Sequence, residues 1–109
     1  TNAGAFSYYD TEDNVTVSPG EKKVILEANV SGGGALFSIG TKDDTYTLYQ
    51  YYIDGEKLLD EPMKKPLGLY NDMFQFPKPI KVDQKIEVEI QRQEDAGAAS
   101  EYFSNVVLM

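Results

Sequence analysis

The side chains able to do chemistry in this chain are carboxylates and hydroxyls, because its 109 residues include no histidine and no cysteine. Without histidine a Ser-His-Asp arrangement cannot form, and the commonest general base and metal ligand is missing. Without cysteine there is no disulfide, no thiolate metal site and no thiol nucleophile. A Ser-Lys dyad stays open, but no motif points to one. Paired carboxylates can hydrolyse glycosides, and Asp43-Asp44, Asp60-Glu61 and Glu94-Asp95 are such pairs. All three fall at predicted turns, where adjacent acids are solvated. Asp10, Glu12, Asp13 and Asn14 gather oxygens of the kind calcium takes, and Asp43-Asp44 make a second group; neither has the EF-hand spacing. Ser31-Gly32-Gly33-Gly34 lacks the Lys-Ser/Thr ending and the helix of a phosphate-binding loop, so it reads as a link between strands. Two glycosylation acceptors, Asn14-Val15-Thr16 and Asn29-Val30-Ser31, lie in or beside predicted strands and matter only in a secretory pathway. These residues predict a protein without catalytic residues, metal or cofactor.

Strands are the elements that must position these side chains, since the apolar residues alternate and do not recur at helical spacing. Val24, Leu26, Ala28 and Val30 alternate with Lys23, Ile25, Glu27 and Asn29. Ile86, Val88 and Ile90 alternate with Lys85, Glu87, Glu89 and Gln91. Period two marks a strand with one buried face. Further strands are predicted over 5–9 (rich in aromatics), 15–17, 35–39, 46–53, 56–59 and 102–109. Ser18-Pro19-Gly20, 31–34 and 41–44 are turn signals. The stretch 60–66, with two prolines, must leave the sheet. Leu67-Gly68-Leu69-Tyr70 is a short strand or a packed loop. Met73, Phe74 and Phe76 are expected to be buried. Pro77 and Pro79 imply an extended edge or connection, and 93–100 is a loop. Short strands, frequent turns and no helix predict an all-β fold: a two-layer antiparallel β-sandwich, jelly-roll-like, of about eight strands, in a single domain over 1–109. A small barrel is the alternative.

Tyrosine is in excess, at eight residues, and four of them fall close together at Tyr46, Tyr49, Tyr51 and Tyr52. Asp54-Gly55 follows them. Asp-Gly between β-prone runs signals a hairpin, because both central residues of a type I′ turn need positive φ. A two-residue turn sets Ile53 opposite Glu56, Tyr52 opposite Lys57 and Tyr51 opposite Leu58. Alternation then puts Thr47, Tyr49, Tyr51, Ile53 and Leu58 on the core face. Tyr46, Gln50, Tyr52 and Lys57 fall on the other, with Leu48 and Leu59. That second face is expected to be exposed. Tyrosine joins an apolar body to a polar tip, which suits a contact surface. Tyr46, Gln50, Tyr52 and Lys57 are therefore the predicted binding residues.

Charge narrows the partners. With 18 acids against 10 bases the net charge is −8. Phosphate binding needs a basic surface, so nucleic acid is not expected as a partner, nor is an anionic membrane. No apolar run approaches the ~18 residues of a spanning helix. The opening Thr1, with no signal peptide before it, fits a cytoplasmic product trimmed of its methionine, and the lack of cysteine points the same way, although an excised domain would open alike. The run Val17-Ser18-Pro19-Gly20-Glu21 into a strand, followed by Tyr52-Ile53-Asp54-Gly55-Glu56, resembles the small β-sandwich decoration and accessory proteins of phage heads and tails. The likeness is one of style over the whole chain and transfers no site residue. It implies a non-enzymatic structural protein, made in the host cytoplasm and carried on the virion. Such a protein binds capsid or tail proteins, or copies of itself, through sheet faces and edges. A carbohydrate-binding module using exposed tyrosines is the alternative, weakened by the absence of tryptophan.

Overall fold

The computed structural model describes residues 5–109; Thr1, with its expected methionine trimming, lies outside the described residues. Ten strands form among them in chain order. They are β1 (Ser7–Asp10), β2 (Val15–Val17), β3 (Lys22–Asn29), β4 (Gly34–Thr41), β5 (Thr47–Ile53), β6 (Glu56–Lys57), β7 (Phe74–Val82), β8 (Lys85–Arg92), β9 (Ser100–Tyr102) and β10 (Ser104–Leu108). A single 3-10 turn, Glu94–Ala96, interrupts the loop before β9. One sheet, here sheet A, has the order β1-β10-β4-β7, and the other, sheet C, has β3-β8-β5-β6. A short ribbon, β2-β9, joins them at one end, and every strand pairing is antiparallel.

These pairings follow one rule. β1 and β2 are successive pieces of one path, and so are β10 and β9 beside them; Thr11 N–H bonds Ser104 O at 3.0 Å where the two ribbons meet. Counted this way there are eight strands. The first pairs with the last, the second with the seventh, the third with the sixth and the fourth with the fifth. A chain paired like this is one long hairpin rolled into two layers, the jelly-roll topology. Its tip is Asp54-Gly55.

Alternation builds the core. Ile86, Val88 and Ile90 of β8 are fully buried, facing Tyr49 and Tyr51 of the same sheet and Leu36, Ile39, Val106 and Leu108 of sheet A. Arg92 continues the inward row of β8 and is buried too. β3 departs from the predicted pattern. Val24 is 43% exposed, whereas Ile25 and Leu26 are both buried. The ladder shifts register between Val24 and Leu26. A β-bulge there sets two consecutive side chains inward and reverses the phase upstream. Thr11 Oγ1 donates to Ile25 O at 3.0 Å, meeting the carbonyl that the bulge turns out of the ladder.

At the tip, Asp54 (φ 54°) and Gly55 (φ 82°) both take the left-handed conformation of a type I′ turn. Tyr52 faces Lys57 and Ile53 faces Glu56, as predicted. The return strand is shorter than predicted. Leu58 N–H still bonds Tyr51 O at 2.8 Å, but the next backbone pair is Tyr49 with Met63, at 2.8 and 3.0 Å. Continuing the Tyr52–Lys57 register would bring Asp60 opposite Tyr49; Met63 is there instead. The surplus residues bow outward and leave a gap in the ladder.

Gln50 fills that gap. Its Nε2 donates to Leu59 O at 2.9 Å, and its Oε1 accepts from Tyr51 N at 2.9 Å and Leu59 N at 3.3 Å. The expectation that Gln50 lies exposed is corrected: it is 3% exposed, because its amide replaces missing backbone partners. Phe74 departs the other way. It was expected to be buried and is 40% exposed, since β7 is an edge strand. Between Ile80 and Gln75, β7 carries Phe76-Pro77-Lys78-Pro79 against Phe37 alone on β4. Prolines have no N–H to lose from a ladder, so they suit this unpaired edge segment.

Candidate functional site

The four predicted binding residues do not form one surface. Tyr52 and Lys57 are neighbours on the outer face of sheet C. Tyr52 is half-buried, and its hydroxyl donates to Glu89 Oε1 at 3.2 Å. Partial burial, then the Glu89 carboxylate, hold its phenol above the ordinary value. Gln50 is sealed in the ladder gap. The surrounding face is acidic and internally paired: Lys85 Nζ lies 3.3 Å from Glu27 and 3.8 Å from Glu87. Its charges are matched within the sheet or dissolved in water.

Tyr46 stands apart. Six residue-to-residue steps, at roughly 3.3 Å each, separate it from Tyr52. It precedes β5 and has φ 53°, so alternation does not apply to it. A bulky residue in this conformation is strained. The surrounding bonds impose it. Asp44 N donates to Tyr49 Oη at 2.9 Å, and Thr45 N to Asp44 Oδ1 at 2.8 Å. Thr45 O accepts from Thr47 Oγ1 at 2.9 Å and from Arg92 Nη1 at 3.1 Å, while Tyr46 O accepts from Gln93 N at 2.8 Å. The buried Arg92 also donates to Tyr102 Oη at 3.0 Å and to Ala98 O at 2.6 Å. Burial pushes the Asp44 carboxyl up, but the Ser100 hydroxyl, the Thr45 N–H and Lys42 outweigh it and hold it below its ordinary value. Tyr46 borders a cleft of about 380 Å³ that includes Thr45, Lys64, Lys65 and Gln93.

The outer face of sheet A is different in kind, and sequence reasoning missed it. Tyr9 of β1 packs against the core, so Tyr8 and Asp10 point outward, with Phe6 in phase ahead of them. Phe6 and Tyr8 are 58% and 56% exposed. Phe6 meets Phe37 edge-on at 4.8 Å between centroids. The loop after β6 crosses the same face. Leu69 O lies over Gly40, where a Cβ would be 2.3 Å from it and 2.7 Å from Asn105 Oδ1, so only glycine lets the loop lie flat. Asn105 Nδ2 donates to Tyr70 O at 2.9 Å and to Tyr8 Oη at 3.2 Å. The Tyr70 hydroxyl donates to Asp10 Oδ2 at 3.4 Å, and its ring meets Phe103 edge-on at 4.7 Å. Hydrogen bonding with Tyr8, then burial, and the Asp10 carboxylate push the Tyr70 phenol up to about 12. The result is a preorganised aromatic face: Phe6, Tyr8, Phe37, Leu69 and Tyr70. One signal was available in the sequence. Phe6, Tyr8 and Tyr9 occupy both phases of a single short strand, so at least one aromatic had to face out.

Part of the acid clusters is tied into the structure. Asp43 pairs with Lys65 at 3.1 Å, and Asn14 Nδ2 bonds Glu101 at 3.1 Å. Among the described residues, no three acidic side chains converge on one point. No protein-family model matches this chain, and no curated protein matches it.

Proposed function

We propose that this jelly roll is a non-enzymatic assembly module, a decoration or accessory protein of a virion, and that it docks on a capsid or tail protein lattice through the outer face of sheet A. The observation that carries the reading is the contrast between the two outer faces. Sheet C turns a hydrated, acidic, internally paired surface outward. Sheet A turns out clustered aromatics whose polar atoms are already held by Asp10 and Asn105. Rigid aromatics lose little entropy on contact and are the usual anchors of protein interfaces. A domain seated on a lattice needs this asymmetry, with one dry face down and one charged face toward water. The fold itself serves many purposes and specifies none of them alone.

The test is co-sedimentation of the purified protein with particles from its native source, checked by negative-stain images. The wild type is expected to bind, Phe6→Ser/Tyr8→Ser to lose binding, and Tyr52→Ala on the opposite face to keep it. No association, or equal association of the double variant, would refute the reading. A sizing column run beforehand shows whether copies pair through the same face before docking.

A further inference from the structure

We propose that the cleft beside Tyr46 binds an acidic sugar, a pyranose carrying a carboxylate, independently of any docking by sheet A. Three observations converge there. The first is conformational. Glycine or asparagine would take φ 53° at less cost, yet the position holds a tyrosine that is 48% exposed. Five hydrogen bonds from β5, β8 and their flanking loops hold the turn 44–46 in place. Strain maintained by so many contacts fixes the backbone from which the exposed ring projects, and strained residues of this sort gather at ligand sites.

The second observation is charge. In a chain of net charge −8, the cleft is lined by two lysines and one acid. That acid is Asp44, and its oxygens are taken by Thr45 N and the Ser100 hydroxyl. Lys64 has no ion-pair partner among the described residues, and Lys65 reaches only the exposed Asp43. The cleft therefore sets two lysine ammoniums beside the tyrosine ring, and that of Lys64 is not engaged by another described side chain. The third is shape and lining. About 380 Å³ is at the small end of ligand sites and holds one or two sugar rings. The C–H face of a pyranose stacks on a tyrosine ring. Its carboxylate pairs with lysine, and its hydroxyls suit the Gln93 amide and Thr45 hydroxyl. A neutral sugar leaves the lysines unused, and a bare anion leaves the ring unused.

Oligogalacturonate is the probe, with a neutral malto-oligosaccharide and inorganic phosphate as controls, followed by NMR shift perturbation and calorimetry. Saturable binding of the uronate, with shifts at Tyr46, Lys64, Lys65 and Gln93, is expected, and neither control should match it. Tyr46→Gly is the deciding variant. It relieves the backbone strain, so its melting temperature should rise while uronate affinity falls at least about tenfold, near 1.4 kcal/mol. Lys64→Gln should weaken the uronate without altering stability. Equal binding of the neutral sugar or of phosphate, no saturation, or undiminished affinity in Tyr46→Gly would each overturn the proposal. The sheet A variant Phe6→Ser/Tyr8→Ser should bind the uronate as the wild type does.

Discussion

Replacing Gln50 by leucine separates the role given to it by the structure from the one suggested by alternation. A residue on an exposed binding face can be changed at a stability cost within about 0.5 kcal/mol. A residue whose amide completes a ladder cannot. Leucine keeps most of the volume but removes three hydrogen bonds, to Leu59 O, Leu59 N and Tyr51 N. Each neutral bond contributes about 0.5–1.5 kcal/mol net, and a buried orphan costs about 1–3 kcal/mol. Tyr51 N is buried, whereas Leu59 is half-buried and water can reach part of it. The expected loss is therefore about 2–4 kcal/mol. At about 4 °C per kcal/mol for a domain of this size, the melting temperature should fall by roughly 8–16 °C. Urea unfolding followed by tyrosine fluorescence measures the loss, and hydrogen exchange locates it. The amides of Tyr51 and Leu59 should lose protection before those of β8. A Gln50→Leu protein as stable as the wild type would show that the gap closes without the amide and would refute the ladder argument.

Three further outcomes follow from other features. The Asp54 carboxylate accepts from Asp83 N, Gln84 N and Lys85 N at 2.9, 2.7 and 3.0 Å. Those N–H groups, Asp83 and Lys85 foremost, hold it below its ordinary 3.8. The folded state then binds this proton less readily than the unfolded state, so the stabilisation is complete above about pH 5 and is lost as pH falls below 3.8. Thermal melts from pH 6 to 2 should show that loss, and Asp54→Asn, which keeps the turn, should flatten it. Gly40→Ala forces a Cβ against Leu69 O and should cost about 1–3 kcal/mol while releasing the Tyr70 loop, seen as loss of Tyr8–Tyr70 cross-peaks. Ile25→Ala should cost about 2–4 kcal/mol in urea unfolding and Val24→Ala within about 0.5 kcal/mol, the reverse of what simple alternation implies.

What could be read from the sequence was local. Ile86, Val88 and Ile90 alternate without interruption and form a fully buried strand face. Asp54-Gly55 carries its own turn chemistry, and the partners of Tyr52 and Ile53 followed from it. Departures occur where a distant contact outweighs the local pattern. The bulge at Ile25 depends on Thr11, fourteen residues away. The inward turn of Gln50 depends on where the chain rejoins at Met63. Tyr46 reads as the first residue of a strand, but Gln93 and Arg92 fix the turn that removes it. The aromatic face of sheet A needs β1 beside β10 and a loop lying on Gly40, a juxtaposition that no window of residues contains.

The rolled-hairpin topology also bears on the order in which the molecule assembles. Once the Asp54-Gly55 tip is formed, each outer strand pair closes only the short loop left by the pair inside it. Joining Ser7 to Leu108 first would close about a hundred residues at once. The entropy of closure grows as (3/2)RT ln n, so a hundred-residue loop costs about 2 kcal/mol more than a ten-residue one. The cheaper path zips from the tip outward and pairs β1 with β10 last. Hydrogen exchange should find β1 among the first segments to open. Phe6 and Tyr8 belong to that late segment, so on this path the aromatic face is completed last, and the docking proposed for it would select complete molecules over partly folded ones.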